Sequence, residues 1–503
     1  MTVRTSQKRL ISGVAVAAVT TFLAGCAVGP NFHRPAAPAV TGYTVEALPD
    51  KVVAGDMPGG PAQQLAMGGD VTGRWWTLFG SAPLDALVEQ ALSANPDLAA
   101  AKAALRQSRE KLYAGEGAFF PNVDGNFSST RQKINATAFG GAALSPPPFT
   151  LHNASVSVTY ALDVFGGTRR TVESLRAQAE AVRFQTEAAY LTLTANVVTA
   201  AIQEAAIKSA VAATQEIVAG DRQQLDIARR QESVGGISKA AFLAETAQVA
   251  AVEATLPPLE KQLAQQRNAL AALAGRFPTE GPSASFDLAV LTMPETLPVS
   301  LPSRLVEQRP DIRAAEATLH AASAEIGVAT ANMLPQINLS GTYGSSTGQI
   351  GDLFAAGTGI WSLGAQAVQP IFHGGQLLHE RRAAVAAYDQ AAAQYRATVL
   401  AAFQNVADTL RALQSDADTL KAQSVAERAA ADSLEIAKQQ YAAGAISTLL
   451  LLDAQRTYQQ ARIALVTAQA SRYADTVALF VALGGGWWNR PDDVTDHHGG
   501  SQQ

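Results

Sequence analysis

The sequence has little of what small secreted proteins and nucleic-acid-binding proteins rely on. It contains one cysteine in 503 residues, Cys26, so no intramolecular disulfide can form. Charged residues make up only 16% of the chain, and the formal net charge is -5. The composition therefore lacks the excess of lysine and arginine that nucleic-acid-binding proteins carry on their surface, and we expect no nucleic-acid partner.

Patterns that carry catalysis or bind metal ions are also missing. None of the seven histidines stands in a His-x-x-x-His or Cys/His metal-binding arrangement. Gly484-Gly485-Gly486 is not followed by the lysine and serine of a phosphate-binding loop, so it predicts a helix-terminating turn. For His497-His498, in a polar tail with three aspartates, weak metal binding and a simply solvated tail are the alternatives. We predict that the protein is not an enzyme and has no metal and no cofactor.

The first 25 residues have the plan of a signal peptide. Their basic residues are Arg4, Lys8 and Arg9. Residues 11–23 are uncharged and too few to span a bilayer as a helix. The segment ends in Leu23-Ala24-Gly25-Cys26, which is similar to the bacterial lipobox and predicts a covalent lipid on Cys26. An ordinary secretory cleavage site is the alternative. Ala27 is not the aspartate that retains lipoproteins in the inner membrane, which favours the outer membrane.

Two halves of the chain follow the same plan. Asn95-Pro96-Asp97 and Arg309-Pro310-Asp311 each begin an alanine-rich helical stretch, and their prolines are 214 residues apart. Each stretch ends at another proline, Pro121 or Pro335. We therefore divide the chain into a signal peptide over 1–25, a lipidated extended segment with a first helix over 26–94, a first repeat over 95–308, a second repeat over 309–486 and a polar tail over 487–503.

In each half, the second proline is followed by alternating apolar and polar residues. Val123 and Phe127 belong to the first such segment, and Ile337 and Leu339 to the second. A period of two predicts a strand between an apolar and a polar environment. A second strand follows in each half, one around residues 155–163 and the other over about 360–372. The connecting loops, with Gly140-Gly141 in the first half, are expected to be exposed.

Long stretches without proline follow the strands, at about 168–233 and 376–443. Each would form a helix roughly 100 Å long, at about 1.5 Å per residue. In the first, apolar residues recur every seven positions, which is typical of coiled coils. These residues are Leu191, Val198, Ala205 and Ala212, with Ala195 and Ile202 between them. Return helices are predicted over about 238–256, 259–274 and 447–483.

Four strands in each chain are too few to close a barrel with a pore, whereas three chains supply twelve. An open sheet edge is not tolerated in a membrane, so closure must come from other subunits. We therefore predict a mixed α/β membrane protein: a trimeric twelve-stranded β-barrel continued by a long α-helical coiled-coil periplasmic tunnel, with two internal repeats per chain. A soluble helical filament or spacer with two incidental hairpins is the alternative.

Several short motifs, taken in order, resemble a known family. They are Gly29-Pro30 after Cys26, Trp75-Trp76-Thr77-Leu78-Phe79, Leu162-Asp163-Val164-Phe165-Gly166, Arg309-Pro310-Asp311, Leu452-Asp453-Ala454-Gln455-Arg456 and Leu483-Gly484-Gly485-Gly486-Trp487. From Cys26 to about Trp488, the chain resembles the TolC and OprM family of outer-membrane efflux channels, particularly its lipoprotein (NodT-type) branch. Each motif is short, but their order and spacing together are specific.

The resemblance implies a homotrimer that is lipid-anchored in the outer membrane, with a long periplasmic extension. Its implied partners are outer-membrane lipid, a periplasmic adaptor protein and an inner-membrane pump of the resistance-nodulation-division class. The trimer would passively conduct small molecules such as drugs to the exterior. A duct for type I secretion of protein or polysaccharide is the alternative, and a non-transporting structural lipoprotein is a third hypothesis.

The resemblance also implies a constriction at the periplasmic end of the tunnel. The matching residues are Tyr441, Leu449 and Asp453. Three Asp453 side chains would form an acidic ring that binds cations; a solvated helix face, or a local pair with Arg456, is the alternative. Gln440 and Ala241 depart from the family, which often has arginine and aspartate there, so less charge is available to hold the constriction shut.

Each long helix ends at a turn of small residues, Gly235-Gly236-Ile237-Ser238 or Gly444-Ala445-Ile446-Ser447. Glycine suits a helix C-terminus and serine suits an N-cap. Small exposed residues let the backbone of a partner approach closely. We therefore predict that Gly235, Gly236, Ser238, Gly444 and Ser447 form the surface that docks the adaptor.

The lipobox predicts a mature protein that begins with an acylated Cys26. Mass spectrometry of the mature amino terminus should find Cys26 with its lipid, and Cys26→Ser should remove the lipid. Export should survive in part in that variant, because a closed barrel inserts without an anchor. An unmodified terminus at any other residue would show that the lipobox interpretation is wrong.

Overall fold

The computed structural model describes residues 27–46, 49–55, 57–133, 147–281 and 284–490. Cys26, the Gly140-Gly141 loop and His497-His498 lie outside these residues. The chain divides into two compact units, each assembled from both halves of the sequence. The first contains the chain up to Arg34, Arg106–Val182 and Ala315–Tyr395, and the second contains Pro35–Leu105, Arg183–Ala314 and the chain from Arg396 onwards.

We number the strands and α-helices of the described residues in chain order. The strands are β1 (Lys51–Val52), β2 (Gln63–Met67), β3 (Asn122–Gln132), β4 (Phe149–Leu162), β5 (Thr296–Val299), β6 (Gln336–Thr347) and β7 (Gly359–Val368). The helices are α1 (Ala82–Ala94), α2 (Pro96–Glu116), α3 (Gly167–Ser233), α4 (Lys239–Glu253), α5 (Leu256–Leu273), α6 (Pro302–Gln308), α7 (Pro310–Ala331), α8 (Gln376–Ala442) and α9 (Thr448–Ala482).

The first unit contains a four-stranded antiparallel sheet in the order β3-β4-β6-β7. All four predicted strands are present. The last one ends at Val368 and not at about residue 372 as predicted. Pro370 has no N–H to donate to a strand ladder, so the regular pairing stops shortly before it.

The two long helices are confirmed, since α3 and α8 each run for 67 residues without interruption. The return helix α9 also matches its prediction closely. The earlier return differs, because α4 ends at Glu253 and α5 begins at Leu256 rather than at Leu259. Pro257 and Pro258 lie in the first turn of α5. Backbone N–H groups in the first turn have no intrahelical acceptor, so a proline there removes no hydrogen bond.

The predicted seven-residue seam on α3 holds over only part of its length. Val198, Ile202 and Ala205 are buried, but Ala212 is exposed in the single chain, while its neighbours Val211 and Ala213 are buried. A straight α-helix drifts by about 20° per heptad relative to a perfect seven-residue repeat. The buried face therefore moves off the predicted positions towards the end of the seam.

The two repeats anchor their short helices in the same way but with different side chains. Asn95 Oδ1 accepts hydrogen bonds from the first N–H groups of α2, and its Nδ2 donates to Leu273 O at the end of α5 (3.0 Å). In the second repeat, Arg309 Nη1 donates to Ala482 O at the end of α9 (2.9 Å). Arg309 also forms a bidentate pair with Asp311 in the first turn of α7. Each anchor ties the start of a short helix to the end of a return helix.

The second unit has a core of aromatic residues and a small sheet that the sequence did not predict. Trp75 and Phe79, in a 3₁₀ helix over Trp75–Phe79, are buried, and the Trp75 ring lies 5.5 Å from that of Phe480. Next to this core, β1, β2 and β5 form a three-stranded sheet in which β2 and β5 are parallel. Strands of two to five residues are too short to show an alternation.

The predicted helix-terminating turn at Gly484-Gly485-Gly486 is confirmed. Gly484 N donates to Val481 O and Gly485 N donates to Phe480 O, which is the pairing of a Schellman motif. All three glycines have φ between 69° and 93°. A Cβ on Gly486 would lie 2.4 Å from Val71 O, so a side chain there would displace the neighbouring backbone.

Residues 487–490, at the start of the predicted polar tail, pack into the second unit. Trp487 Nε1 donates to Gln308 O (2.6 Å), and Arg490 pairs with the buried Glu187 (2.5 Å). The Arg490 guanidinium also lies over the Tyr190 ring, 4.0 Å from its centroid. Residues 491–503 lie outside the described residues.

Within the described residues, no helix combines the length and the apolar composition that a transmembrane helix requires.

Candidate functional site

The four-stranded sheet has two chemically different faces. Its register places Val123, Val158 and Gly341 in one row, and Val156, Tyr343 and Trp361 in another, on the same face. The large apolar side chains of this face are exposed in the single chain, Tyr343 at 74% and Trp361 at 73%. Alternate residues point to the opposite face. That face is mostly polar, with Asn122, Asp124, Asn126, Ser128, Ser155, Ser157, Thr159, Asn338, Ser340, Thr342, Ser362 and Gln366.

The apolar face therefore suits lipid, and the polar face suits water. A sheet that alternates in this way is the wall element of a transmembrane β-barrel. Among the described strands, β3 and β7 each pair on one side only, and they form the two edges of the sheet. The outward-facing backbone N–H and C=O groups of these edge strands can form hydrogen bonds with another strand.

The junction between β4 and α3 is built by Asp163. Its carboxylate accepts hydrogen bonds from Thr168 N (2.9 Å) and Arg169 N (3.0 Å), which are free N–H groups in the first turn of α3. The Arg169 side chain returns to the same carboxylate (3.1 Å). A negative charge at a helix N-terminus is stabilising, so this aspartate fixes where the strand ends and the helix begins.

The segment that follows Cys26 is held by Arg170, a residue that sequence reasoning missed. The Arg170 side chain is 3% exposed and donates from Nε to Val28 O (3.0 Å) and from Nη2 to Asn31 Oδ1 (2.8 Å). Val28 N in turn donates to Phe165 O at the strand–helix junction (3.0 Å). The only signal in the sequence is an arginine close behind Phe165-Gly166-Gly167, which does not reveal its partners.

A second contact with this segment runs through His320 on α7. The Phe32 ring stacks on His320 at a centroid distance of 4.4 Å, and His320 Nε2 lies 2.9 Å from Glu173 Oε1. Burial alone would raise the pKa of Glu173, but hydrogen bonds from His320 and Arg170 outweigh it and lower the pKa below its ordinary value. Glu173 is therefore a stable anion that joins α3, α7 and the amino-terminal segment.

The two small-residue turns both end a helix at a left-handed glycine as predicted, but only one of the two serines caps the next helix with its side chain. Gly235 (φ +77°) and Gly444 (φ +70°) are left-handed, and the N–H of the residue after each bonds to a carbonyl five residues back. Ser238 caps α4 through a hydrogen bond from Ala241 N (3.1 Å). Ser447 occupies the N-cap position of α9, but its side chain makes no capping bond.

The three residues predicted at the constriction do not share one surface. Leu449 is 74% exposed, and Asp453, one turn later on α9, is exposed too. Tyr441 is buried, and its ring packs with Leu434, Ala437 and Leu451. In the single chain, Asp453 Oδ1 also pairs with Arg456 (2.5 Å), which is the local partner considered from the sequence. The role of these residues at a constriction stays a prediction.

Among the described residues, no group of three or more acidic, histidine or cysteine side chains is arranged to hold a metal ion.

A sheet with one lipid-compatible face, joined to long helical hairpins, defines one class of protein: the protomer of an outer-membrane channel. The chain belongs to the outer membrane efflux protein family, which matches residues 87–276 and 301–485. The two matched segments correspond to the two predicted repeats, and each begins a few residues before the predicted start at 95 or 309. The predicted family is thus confirmed, and this is a family of outer-membrane channel proteins and not of enzymes.

Individual relatives and solved structures agree with this assignment. The chain is 31% identical to the pyoverdine export outer membrane protein OpmQ of Pseudomonas putida, over 82% of this chain and 88% of that protein. It is 30% identical to the toluene efflux pump outer membrane protein TtgC of Pseudomonas putida, over 94% of this chain and 95% of that protein. The structure of the outer-membrane channel OprN superimposes with a TM-score of 0.82 at 27% identity, over 92% of this chain and all of that one.

Exposed residues of α9 generate a prediction about the constriction. Leu449→Ala should raise the resting conductance of the channel, because a ring of leucines hinders water and ions. Asp453→Asn should lower cation selectivity, and Arg456→Gln should raise it, since Arg456 partly neutralises Asp453. Single-channel recording in planar bilayers measures both quantities.

Leu450→Ala is the matched control for Leu449→Ala, because Leu450 is also exposed but lies about 100° further around the helix. It should leave the resting conductance near the wild-type value. Unchanged conductance in Leu449→Ala together with unchanged selectivity in both charge variants would place the constriction elsewhere.

Proposed function

We propose that three copies of the chain pair through β3 and β7 to form a closed twelve-stranded barrel, which passively conducts small molecules out of the cell. The observation that carries this proposal is a sheet with an apolar face, a polar face and two unpaired edges. In a bilayer each unpaired N–H or C=O group costs several kcal/mol, so the edges need partners. A second copy offers the complementary edge.

The internal repeat predicts the register of that pairing. Within one chain, Ser157 on β4 pairs with Thr342 on β6. The counterpart of Thr342 in the first repeat, 214 residues earlier, is Ser128 on β3. Ser157 also pairs with Asp124, whose counterpart Asn338 pairs with Gln366 on β7. If the contact between copies repeats the contact between halves, Gln366 lies opposite Ser128 of the neighbouring copy.

Disulfide trapping tests this register. Ser128→Cys combined with Gln366→Cys, in a Cys26→Ser background, should give a covalent trimer under oxidising conditions. Directly opposed residues in a sheet are about 4.5–5.5 Å apart at Cα, which lies within disulfide range. The readout is a trimer band on a non-reducing gel that disappears on reduction.

Ser128→Cys combined with Ser362→Cys provides the matched control. Ser362 lies on the same face of β7 as Gln366 but four residues away, roughly 13 Å along the strand. It should crosslink weakly or not at all. A stronger trimer band from the Ser362 pair would refute the register, and the absence of trimers in any membrane preparation would refute the assembly.

The relatives support small molecules as the exported class. One is named for pyoverdine export and another for toluene efflux. We propose that the trimer serves the same kind of export, as the outer-membrane part of a pump with a periplasmic adaptor and an inner-membrane transporter of the resistance-nodulation-division class. The long hairpins form the periplasmic tunnel in this proposal, and the polar face of the sheet lines the pore.

A lipid on Cys26 fits the contacts of the residues that follow it. Ala27 and Val28 are held against Phe165 and Gly166, where β4 passes into α3. A strand that crosses the membrane ends at the membrane boundary. An acyl chain on the residue before Ala27 would therefore enter the leaflet on the helical side, and we propose this anchor.

We further propose that the turns at Gly235 and Gly444 dock the adaptor. Ala445→Trp adds bulk to one turn at a position that is exposed and already carries a side chain, unlike Gly444. It should lower crosslinking to the adaptor by about tenfold, which corresponds to roughly 1.4 kcal/mol of lost binding energy. Crosslinking in cells is the measurement.

Ala445→Ser is the control for this test. Serine is nearly as small as alanine and leaves the glycine of the turn in place, so docking should stay close to the wild-type level. The thermal stability of the trimer should be unchanged by Ala445→Trp. Normal crosslinking in that variant would exclude this turn as the contact.

A further inference from the structure

A cluster of buried polar groups lies between the two helical hairpins of the second unit. Helix α4 packs against α9, which brings the return helices of the two repeats together. Three polar side chains around this contact are almost fully buried: Glu245 on α4 (1% exposed), Gln455 on α9 (2%) and Asp221 on α3 (5%). Glu245 is in helical phase with Val249 and Val252 on the buried side of α4.

The hydrogen bonding of this cluster is incomplete. Glu245 Oε1, Asp221 Oδ2 and both amide atoms of Gln455, Oε1 and Nε2, have no hydrogen-bond partner among the residues that the structure describes. The three oxygens are acceptors when the carboxyl groups are ionised, and Gln455 Nε2 is a donor that bonds to none of them. Glu245 Oε1 and Asp221 Oδ2 therefore lack a donor, and one additional proton would convert a carboxyl acceptor into a donor.

The charges around the cluster also disfavour two ionised carboxyl groups. Burial first, and then the negative charge of Asp221, raise the pKa of Glu245 from 4.5 to about 7. Burial raises the pKa of Asp221 to about 6, against the attraction of Lys438 on α8. The charged groups that act on the pair from α3, α4 and α8 are thus the two carboxyl groups and Lys438, while α9 contributes the neutral Gln455.

We infer that Glu245, Asp221 and Gln455 form a proton-binding site that holds the two helical hairpins of each chain together. Protonated Glu245 donates a hydrogen bond to one of the unpartnered oxygens, and the buried cluster then carries one negative charge fewer. A hard cation such as Ca²⁺ is a poorer occupant, because it takes six to eight oxygen ligands and the cluster presents three unpartnered oxygens.

This inference rests on the proposed channel function and adds a condition for opening. Separation of the hairpins exposes Glu245 to water, where its pKa returns to about 4.5. The packed state therefore binds more protons than the separated state between pH 4.5 and 7. The equilibrium should shift towards separation as the pH rises through this window, by at most about tenfold per pH unit for each proton released, and should level off above it. Asp221 contributes a second proton below about pH 6.

The experiment measures channel opening from pH 5 to pH 8 in planar bilayers with purified full-length trimers. The wild-type opening equilibrium should increase as the pH rises and reach a plateau above about pH 7. Glu245→Gln, which keeps the shape and a donor but cannot titrate, should lower the pH at which the plateau begins to about 6, because Asp221 still titrates there. Asp221→Asn should shift the transition to lower pH, because it removes a neighbouring negative charge.

Glu253→Gln is the matched control, since Glu253 lies on the same helix but is partly exposed and paired with Arg222. It should keep the wild-type pH profile. The melting temperature of the detergent-solubilised trimer gives a second readout. It should fall from pH 5 to pH 8 in the wild type, whereas in Glu245→Gln it should stay nearly constant above about pH 6.

Three results would overturn the inference: a pH-independent wild type, a Glu245→Gln variant with the wild-type profile, or closure at pH 8 that requires both Glu245 and added Ca²⁺. The last would identify a cation in place of the proton. If Glu245→Gln does not assemble, an unshifted profile in Asp221→Asn decides against the inference instead. Failure to conduct at any pH would contradict the proposed channel function.

Discussion

The open edges of the four-stranded sheet are the constraint on which the rest of the structure depends. A bilayer offers no water to the N–H and C=O groups of β3 and β7, so one chain cannot cross the membrane as the structure has it. The alternation of faces imposes a second condition, because a one-residue slip in pairing would turn Tyr343 and Trp361 from lipid towards water. In the proposed barrel, the register between copies is therefore specified as strictly as the register within a chain.

The internal repeat supplies both the strands of the four-stranded sheet and the long helical hairpins. Each repeat contributes two strands, one short helix and one long hairpin, and each ties its short helix to the end of a return helix. The chemistry of the tie has diverged, from an amide at Asn95 to a guanidinium at Arg309. The geometry has persisted because both ties occupy the position before a proline that begins a helix, where the backbone is extended.

Charge is distributed unequally over the hairpins. Asp453 and Arg456 lie on the exposed side of α9, where an ion pair contributes little in water. Glu245, Asp221 and Gln455 lie inside the hairpin packing, where each unpartnered oxygen weakens the contact between α4 and α9. A buried cluster of this kind makes the contact conditional on protonation, whereas an apolar contact at the same place would be permanent.

The sequence by itself determined the elements, because periodicity and helix punctuation are local properties. The alternation after Pro121 and Pro335, the stretches of α3 and α8 without proline, and the glycine turns at Gly235 and Gly444 each depend on neighbouring residues only. Their bounds were therefore predicted within a few residues. The errors arose where local rules compete, as at Ala212, where a straight helix departs from the heptad, and at Val368, where Pro370 ends the strand early.

Only the tertiary structure decided which side chains meet. Arg170 binds Val28 and Asn31, which lie about 140 positions away in the sequence. Glu245 lies near Asp221 and Gln455, which belong to two other helices. In the small sheet, β5 pairs with β2 from a distant part of the chain. Such contacts produce no periodic pattern in the sequence, because they arise from the packing of separate elements. For the same reason, the sequence did not show that Tyr441, before the hairpin turn, is buried while Leu449, after it, is exposed.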